Sequence, residues 1–477
     1  MVYKNVPGVR IEEPSLLAPS VVGVETGIPA FVGHTQKAET AKGEAITEPY
    51  PIESLMQYEQ LFGKAKPEND LVVEVKRLLD KDDELTGENI ITAKFTDTGG
   101  PNKFNMYYAV QLFYENGGGR CWIVSTGDTS ANSPDPSEIK KGIEKLAKED
   151  EPTMIIIPEA TKLPENDYFD VYNKALQQCA DLMDRVTILD VLQTDNINDD
   201  ITKVFRKSNG GLVIDNLRYG AAYYPYLKTT LDYDITNAEG DIKVTLKKIK
   251  PDGTEESSEE KTLADLESTE NLIYKDCIRE INQLPITMPP SPAMAGVYTR
   301  VDSERGVWKA PANVGINGII GTAVKVTDAE QNYMNVDATT GKSVNAIRNL
   351  PQGTLVWGAR TLDGNSSEWK YISVRRFFNF VEESVKKASA RFVFEPNDAN
   401  TWVKVRAMIE NFLNLQWTEG ALMGAKPEQA YFVRVGLGQT MTPQDVLDGK
   451  MIVEIGMAVV RPAEFITLRF THKMPEA

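Results

Sequence analysis

Two glycine-rich segments are the first candidates for chemistry in this sequence, because loops rich in glycine can cradle phosphate groups. The segment ENGGGRC (115–121) leads into the β-rich run CWIVST and not into a helix whose N-terminus could hold an anion. The segment VGLGQTMTPQDVLDG (435–449) lacks the third glycine of a dinucleotide fingerprint, and a GxxxxGK[ST] motif is absent. We interpret the first segment as a turn that needs glycine at positive φ. In the second, Thr442 to Asp445 indicates a helix cap with proline in the first turn.

Carboxylates at the ends of predicted strands are the next candidates. Asp190 in ILDV and Asp215 in VIDNL each end an apolar run, where α/β enzymes often keep catalytic acids. No His, Cys or Lys is gathered around them in motif spacing, so we interpret both as structural capping residues.

The spacing of the histidines and cysteines does not favour a metal site or a catalytic nucleophile. The two histidines, His34 and His472, lack ligand-spaced partners. Cys121, Cys179 and Cys277 are isolated, without CxxC spacing, and fit a reducing compartment. The sequence therefore predicts no catalytic set, no cofactor and no metal, and we expect a protein that is not an enzyme.

Composition restricts the class of protein further. A length of 477 residues suggests two or three domains, and 41% hydrophobic with 25% charged residues is ordinary for a globular protein. A net charge of −17 argues against general nucleic-acid binding. No apolar run is long enough to cross a bilayer, and the start lacks the layout of a secretory signal. We expect the chain to be made and kept in the cytoplasm until something larger releases it.

The elements that must position any site fall into two patterns. From about residue 31 to 227, apolar runs alternate with amphipathic helices, which predicts an α/β layer. The helix PSEIKKGIEKLAKED has Ser137 as its expected cap, and the strands TMIIIPEA and RVTILDV are apolar throughout. The charged segment 232–275 predicts a solvated β excursion on the surface and not part of a core.

The C-terminal part predicts helix, helix, strand, strand, strand. Helical spacing runs through YISVRRFFNFVEESVKKASARF and NDANTWVKVRAMIENFLNLQW, and YFVRVGL and KMIVEIGMAVV predict strands. Alternation over Phe465–Thr471 predicts a last strand, and GVRIEE between Pro7 and Pro14 predicts a strand near the start. Neither terminal strand has a local partner. Lys and Arg (15) balance Asp and Glu (14) from Arg360 onward, which fits packing against an acidic surface, packing among copies, or ordinary variation.

Seven segments together resemble contractile tail sheath proteins, the family of contractile phage tails and related bacterial injection systems, and the resemblance runs nearly end to end. They are VPGVRIEE, YYAVQLFYENGGGRCWIVS, PPSPAMAGVYTRVDSERGVWKAPAN, GTLVWGARTL, WKYISVRRFFNFVEESVKKA, FVFEPNDANTWVKVRAMIENFL and MIVEIGMAVVRPAEFITLRFTHK.

The resemblance implies a self-assembling protein whose copies stack as six-fold rings around an inner tube, attached to a baseplate and closed by a tail terminator. It implies terminal arms that complete the sheets of neighbouring copies, with no nucleic acid bound and no membrane insertion. The implied arm residues are Val9, Arg10, Ile11, Glu12, Phe465, Ile466, Thr467, Leu468, Arg469 and Phe470. The implied acceptor residues are Val433, Val435, Val453 and Ile455, and the exposed candidates for facing the tube are Arg375, Arg376, Lys386 and Lys387.

The expected fold class is a mixed α/β and α+β multidomain protein. The expected domains are an N-terminal arm (1–20), an α/β domain in two parts (21–228 and 276–359), an acidic β insertion (229–275), a C-terminal α+β core (360–460) and a C-terminal arm (461–477). Two alternatives stay open: an α/β enzyme or ligand-binding protein with a Gly-rich loop, and a sheath paralogue at the baseplate. Phage tail, released injection particle and cell-anchored secretion system all fit the sequence.

Overall fold

The fold was taken from a computed structural model, which describes residues 20–82, 84–96, 100–193, 197, 199–207, 210–236, 238–337, 339–465 and 467. The described residues separate into a large unit (those of 25–379, and 461–465 and 467) and a small unit (20–24 and 380–460). The predicted N-terminal strand at Val9–Glu12 lies outside the described residues, as do Ile466, Leu468, Arg469 and Phe470.

The strands, in chain order, are β1 Pro29–Thr35, β2 Tyr50–Ile52, β3 Leu71–Leu79, β4 Leu85–Phe95, β5 Cys121–Asp128, β6 Met154–Ile156, β7 Val186–Asp190, β8 Gly220–Tyr224, β9 Leu227–Thr229, β10 Lys243–Ile249, β11 Glu255–Thr262, β12 Thr287–Met288, β13 Val314–Gly315, β14 Ile319–Thr322, β15 Val344–Leu350, β16 Gly353–Val356, β17 Tyr431–Val435 and β18 Val453–Met457.

The helices are α1 Leu55–Phe62, α2 Met106–Glu115, α3 Pro136–Leu146, α4 Glu165–Leu182, α5 Leu263–Thr269, α6 Asn271–Asn282, α7 Ser291–Arg305, α8 Asp328–Asn335, α9 Ile372–Ser389, α10 Ala399–Thr418, α11 Pro427–Ala430 and α12 Pro443–Leu447. In the described part of the chain, none of them combines the length and the apolar character that a bilayer crossing needs.

A nine-stranded sheet organises the large unit, in the order β13-β16-β15-β8-β7-β6-β1-β5-β2. Its six central strands, from β15 to β5, pair in parallel. Side chains alternate between two apolar layers: Phe31 and Ile123 lie in the layer that contains residues of α2 and α7, and Val32 and Val124 in the layer of α3 and α4. The predicted α/β layer is confirmed, and the protein is of mixed α/β class with several sheets.

The charged segment 232–275 forms part of a separate four-stranded sheet, β11-β10-β3-β4. β10 pairs in parallel with β3, and Val244 and Leu246 are buried with Val73 and Val75 and with α5 and α6. The prediction that this segment lies outside any core is therefore wrong for the inner face of β10. β11 is exposed over most of its length, as its run of Glu and Ser indicates.

Three local predictions have clear outcomes. Gly117 has φ +94° in the turn before β5, which confirms the interpretation of the GGGR segment. Asp135, and not Ser137, caps α3, because its side chain accepts the N–H of Ser137. The VIDNL segment is a 3-10 helix, Ile214–Tyr219, and not the end of a buried strand.

Asp190 is a buried structural cap, as predicted. Its carboxylate lies at the end of β7 and accepts the N–H of Ser291 at 2.7 Å and the Ser291 hydroxyl at 2.5 Å. It thereby satisfies an N–H in the first turn of α7 that has no partner within that helix. Burial raises the pKa of Asp190 to about 7, although the bonds from Ser291 act in the opposite direction.

We predict that Asp190→Ala lowers the free energy of unfolding by about 1–3 kcal/mol, because it leaves buried donors of Ser291 without acceptors. Between pH 4 and pH 7 the unfolded state has lost the Asp190 proton while the folded state retains it, so this group makes stability fall as pH rises. Denaturant titrations of Asp190→Asn across this pH range should lack the decrease in stability that the Asp190 carboxyl causes. The exposed Asp215→Asn serves as the control and should retain it; equal pH profiles for wild type and Asp190→Asn would contradict the assignment.

Candidate strand-acceptor site

The two strands of the small unit form an antiparallel sheet of their own. Val433 lies opposite Ile455, and Val435 lies opposite Val453. The four predicted acceptor residues therefore form two directly opposed pairs on one face. The predicted strands in YFVRVGL and KMIVEIGMAVV are confirmed and pair with one another, and their role as acceptors of arm strands stays a prediction. The segment between them contains α12, whose capping box at Thr442 and Asp445 confirms the predicted cap.

The inner face of this sheet packs on helix α10. Val433 and Val435 are buried, and the helix contributes Val405, Ile409 and Phe412 from the face predicted by their spacing. α10 in turn meets the C-terminal half of α9, where the rings of Phe380 and Phe412 lie 5.8 Å apart. One face of the sheet is thus fixed by a helix layer.

The outer face is shaped by an aromatic ring lying over a glycine. Phe432 is opposite Gly456, and a Cβ at Gly456 would lie 2.2 Å from a Phe432 ring carbon. The Arg434 guanidinium lies 4.5 Å from the centre of that ring, and Arg434 faces Glu454 across the strands at 3.8 Å. This face is therefore ordered by side chains although it is not covered.

Both edges of the sheet are open in the part of the chain that the structure describes. Ala458 donates its N–H to Ala430 and accepts the N–H of Met423, so the even-numbered residues of this strand direct their backbone groups toward β17. Alternation then directs the N–H and C=O groups of Val453, Ile455 and Met457 to the opposite edge. By the same register, Tyr431, Val433 and Val435 direct theirs away from β18.

The small unit also exposes an unusual amount of apolar side chain. Its described residues include ten large hydrophobic side chains that are exposed: Val22, Val393, Phe394, Val403, Leu415, Met423, Phe432, Leu437, Leu447 and Ile452. Phe394 is fully exposed and has φ +69°, a conformation that bulky residues avoid. We interpret these side chains as candidates for contacts with other proteins, because interaction sites expose apolar side chains.

Arg375 and Arg376 are buried, so the prediction that they are exposed is wrong. Arg375 lies 4.3 Å from the ring centre of Trp369 and donates to Asn379 at 2.8 Å. Arg376 pairs with Asp302 at 2.9 Å and lies over the ring of Tyr298. Both guanidinium groups occupy the buried face of α9, where ring stacking and ion pairing offset the cost of burial.

Lys386 and Lys387 are exposed, as predicted. Both contact Glu383, at 3.1 and 3.3 Å. Their role in facing a tube stays a prediction.

The described stretch just before the last predicted strand contains a residue that sequence reasoning missed. Glu464 belongs to the large unit, where its carboxylate accepts bonds from Arg360, Asn335 and Tyr371. Burial raises the pKa of Glu464, but these hydrogen bonds outweigh it and hold the pKa below its usual value. Phe465, the next residue, is exposed.

The large unit contains a cavity of about 330 Å³. Its lining includes the buried Glu68, whose pKa burial raises to about 7, together with Lys162, Tyr108 and Tyr233. Glu68 is already hydrogen-bonded to Asn102, and the Gly117–Gly119 loop is not part of the lining. Within the described ranges, no cluster of three or more His, Cys, Asp and Glu side chains is arranged to hold a metal ion.

Comparison with known proteins bears on the same C-terminal region. Residues 365–473 match the profile of the phage tail sheath C-terminal domain family. The curated tail sheath protein of Vibrio phage KVP40 is 25% identical over 207 residues, which is 43% of this chain and 29% of that protein. The match thus spans less than a third of the length of this curated relative.

Two solved structures match over almost the whole chain. A chain of the sheath complex of an extracellular contractile injection system (PVC), in its contracted state, is 30% identical with a TM-score of 0.60 and coverage of 99% of both chains. A chain of the helical sheath of the anti-feeding prophage, also contracted, is 28% identical with a TM-score of 0.64, covering 98% of this chain and 99% of that one.

We predict that Gly456→Val lowers the free energy of unfolding of the small unit by about 1–3 kcal/mol, because the new side chain displaces the Phe432 ring. Thermal melts of Gly456→Val, Phe432→Ala and the double variant check this. The double variant should lose less stability than the two single effects combined; additive losses would show that the ring does not occupy this space.

Proposed function

This chain belongs to the family of contractile tail sheath proteins, and we propose that it is the structural subunit of a contractile sleeve. In this proposal the subunits stack as six-fold rings around an inner tube, and the sleeve shortens to drive the tube through a target envelope. The observation that carries the proposal is the sheet of β17 and β18, whose two edges are open in the described chain while both ends of the sequence have strand patterning.

The assembly mode is β-strand addition between copies. The arm at Val9–Glu12 and the arm at Phe465–Phe470 each add to one edge of the sheet in another copy, flanking the resident pair. Main-chain hydrogen bonds supply binding, and alternating side chains set the register. The outward groups of Val453, Ile455 and Met457 on one edge, and of Tyr431, Val433 and Val435 on the other, support this mode because each edge offers three consecutive bonding positions.

The interaction free energy of one arm with a neighbouring copy is large enough for stable association. Five or six ladder bonds contribute about 1 kcal/mol each. Burial of the apolar arm residues Ile466, Leu468 and Phe470 adds roughly 1.5–3 kcal/mol apiece. The sum is on the order of 10 kcal/mol per arm before the cost of ordering the arm, and several neighbours multiply what remains.

Contraction needs no nucleotide in this account. The long sleeve is a metastable packing, and the short, wide sleeve buries more surface between subunits. A trigger at the baseplate lets one ring rearrange, and the arms move the next ring. The stored free energy then drives the tube, which agrees with a GGGR loop that precedes a strand and not a phosphate-binding helix.

The remaining parts of the proposal concern partners and location. The partners are further copies of the chain, an inner tube protein, and baseplate and tail-terminator proteins, without nucleic acid or membrane insertion. Lys386 and Lys387 are the remaining candidates for facing the tube. We place assembly in the cytoplasm, followed by function in a phage tail or an injection particle, with no enzymatic role and with the domain limits given by the sequence.

Deleting residues 465–477 should abolish sleeves while the monomer stays folded, because the donor strand is lost and Glu464 is retained. Negative-stain microscopy and thermal melting are the measurements. The matched control deletes only 472–477, beyond the expected strand, and should assemble. Normal sleeves from the longer deletion would reject the exchanged arm.

Val453→Pro should block strand addition at the open edge of β18. Proline removes an N–H that points away from β17, so the resident ladder stays intact while one bond to an incoming strand is lost. Val453→Ala is the control, since it loses the same side chain and keeps the N–H. Sedimentation should show sleeves for alanine and a loss of sleeves for proline; equal assembly would mean that this edge accepts no strand.

A further inference from the structure

The side chain that precedes the expected C-terminal strand is Glu464, and both of its carboxylate oxygens accept hydrogen bonds. Glu464 Oε1 accepts Arg360 Nε at 2.8 Å and Asn335 Nδ2 at 2.9 Å. Its Oε2 accepts Arg360 Nη2 at 2.8 Å and the Tyr371 hydroxyl at 3.0 Å. Four donors from three separate chain segments thus converge on the last side chain before Phe465. We refer to Glu464, Arg360, Asn335 and Tyr371 as the Glu464 clamp.

The clamp is anchored in the nine-stranded sheet. The Arg360 side chain is 4% exposed, and its Nη1 donates to the Asn335 carbonyl at 2.9 Å. The backbone N–H of Arg360 donates to Asn345 Oδ1 at 2.7 Å, and Asn345 Nδ2 donates to the Arg360 carbonyl at 2.8 Å. Asn345 is a buried residue of β15 that also donates to Ala222 of β8. Hydrogen bonds therefore run from Glu464 to the centre of the large unit.

The described end of the N-terminal segment is held elsewhere. Val24 donates its N–H to the Ser384 hydroxyl at 3.1 Å, and Arg391 donates to the Ser20 carbonyl at 3.3 Å. A Cβ at Gly23 would lie 3.0 Å from the Phe380 ring. All of these residues belong to the small unit, whereas the described residues from Arg461 to Phe465 belong to the large unit.

These contacts lead us to infer that Glu464 is a positioning residue for assembly, which fixes the C-terminal arm to the large unit while the N-terminal arm is fixed to the small unit. The inference rests on the proposed sheath function. A bidentate Arg–carboxylate pair with two further donors sets direction as well as position, so the arm leaves the large unit at a defined point. Load that a neighbouring copy places on the C-terminal arm then reaches β15 and β8 without passing through the sheet of β17 and β18.

The test uses the full-length chain with Glu464→Gln, which retains the size of the side chain and removes its charge. Tyr371→Phe removes one of the four donors and gives a graded variant if Glu464→Gln folds poorly. Glu395→Gln, an exposed acid of the small unit outside the sheet of β17 and β18, is the matched control. Hydrogen exchange of the unassembled protein follows the amides of Arg461, Ala463, Glu464 and Phe465 against those of β7 and β8.

We expect exchange at 461–465 to rise about tenfold or more in Glu464→Gln, less in Tyr371→Phe and not at all in Glu395→Gln, with β7 and β8 unchanged. Sleeves should still form in Glu464→Gln, but they should dissociate at a lower urea concentration than wild-type sleeves. Loss of sleeves in the 465–477 deletion combined with unchanged exchange and urea resistance in both clamp variants overturns the clamp and leaves the sheath function standing. Sleeves that persist without residues 465–477 overturn the exchanged arm itself.

Discussion

A strand with a single neighbour leaves every second pair of backbone groups without a partner, and this constraint governs the small unit. β17 and β18 satisfy one another along one edge each, and helix α10 covers the inner face. Among the described residues, the backbone groups at the two outer edges have no partner strand. Unpaired edges are ordinarily blocked by charge, proline or a covering segment, because they invite association. Here the residues at the edges are Val, Ile, Met and Tyr, which favour added strands.

The large unit has the opposite character. Its central strands are buried on both faces, and several buried polar side chains have partners: Asp190 caps α7, and Arg375 and Arg376 contact aromatic rings and Asp302. A densely packed unit of this kind is expected to resist local unfolding. In the part of the chain that the structure describes, the small unit has open sheet edges and exposed apolar side chains.

Much of this architecture could be predicted from local periodicity. The α/β alternation, the face of α10, the strands around Val433 and Ile455 and the cap at Thr442 all follow from residue patterns that act over one or two turns or strands. The four-stranded sheet could not be predicted in this way, because β3 and β10 are far apart in sequence and only their pairing buries Val244. The burial of Arg376 could not be predicted because its partners Asp302 and Tyr298 come from a distant segment. Arg375 has the nearby partners Trp369 and Asn379, but no periodic pattern in the sequence indicates these contacts. No local sequence pattern identifies Glu464, because its carboxylate pairs with Arg360, which lies about a hundred residues earlier in the chain.

The alternation of the open edges has a consequence for movement. Backbone groups point outward at every second residue, so an added strand that shifts by one position would turn its apolar side chains to the wrong face. A strand added at such an edge therefore cannot slide by a single residue, and a shift of two residues requires breaking all of its ladder hydrogen bonds at once. If strands of other copies add to this sheet as proposed, the pairing register resists slippage. A change in the shape of such a polymer would then leave the strand contacts in place and turn the remainder of each subunit about them.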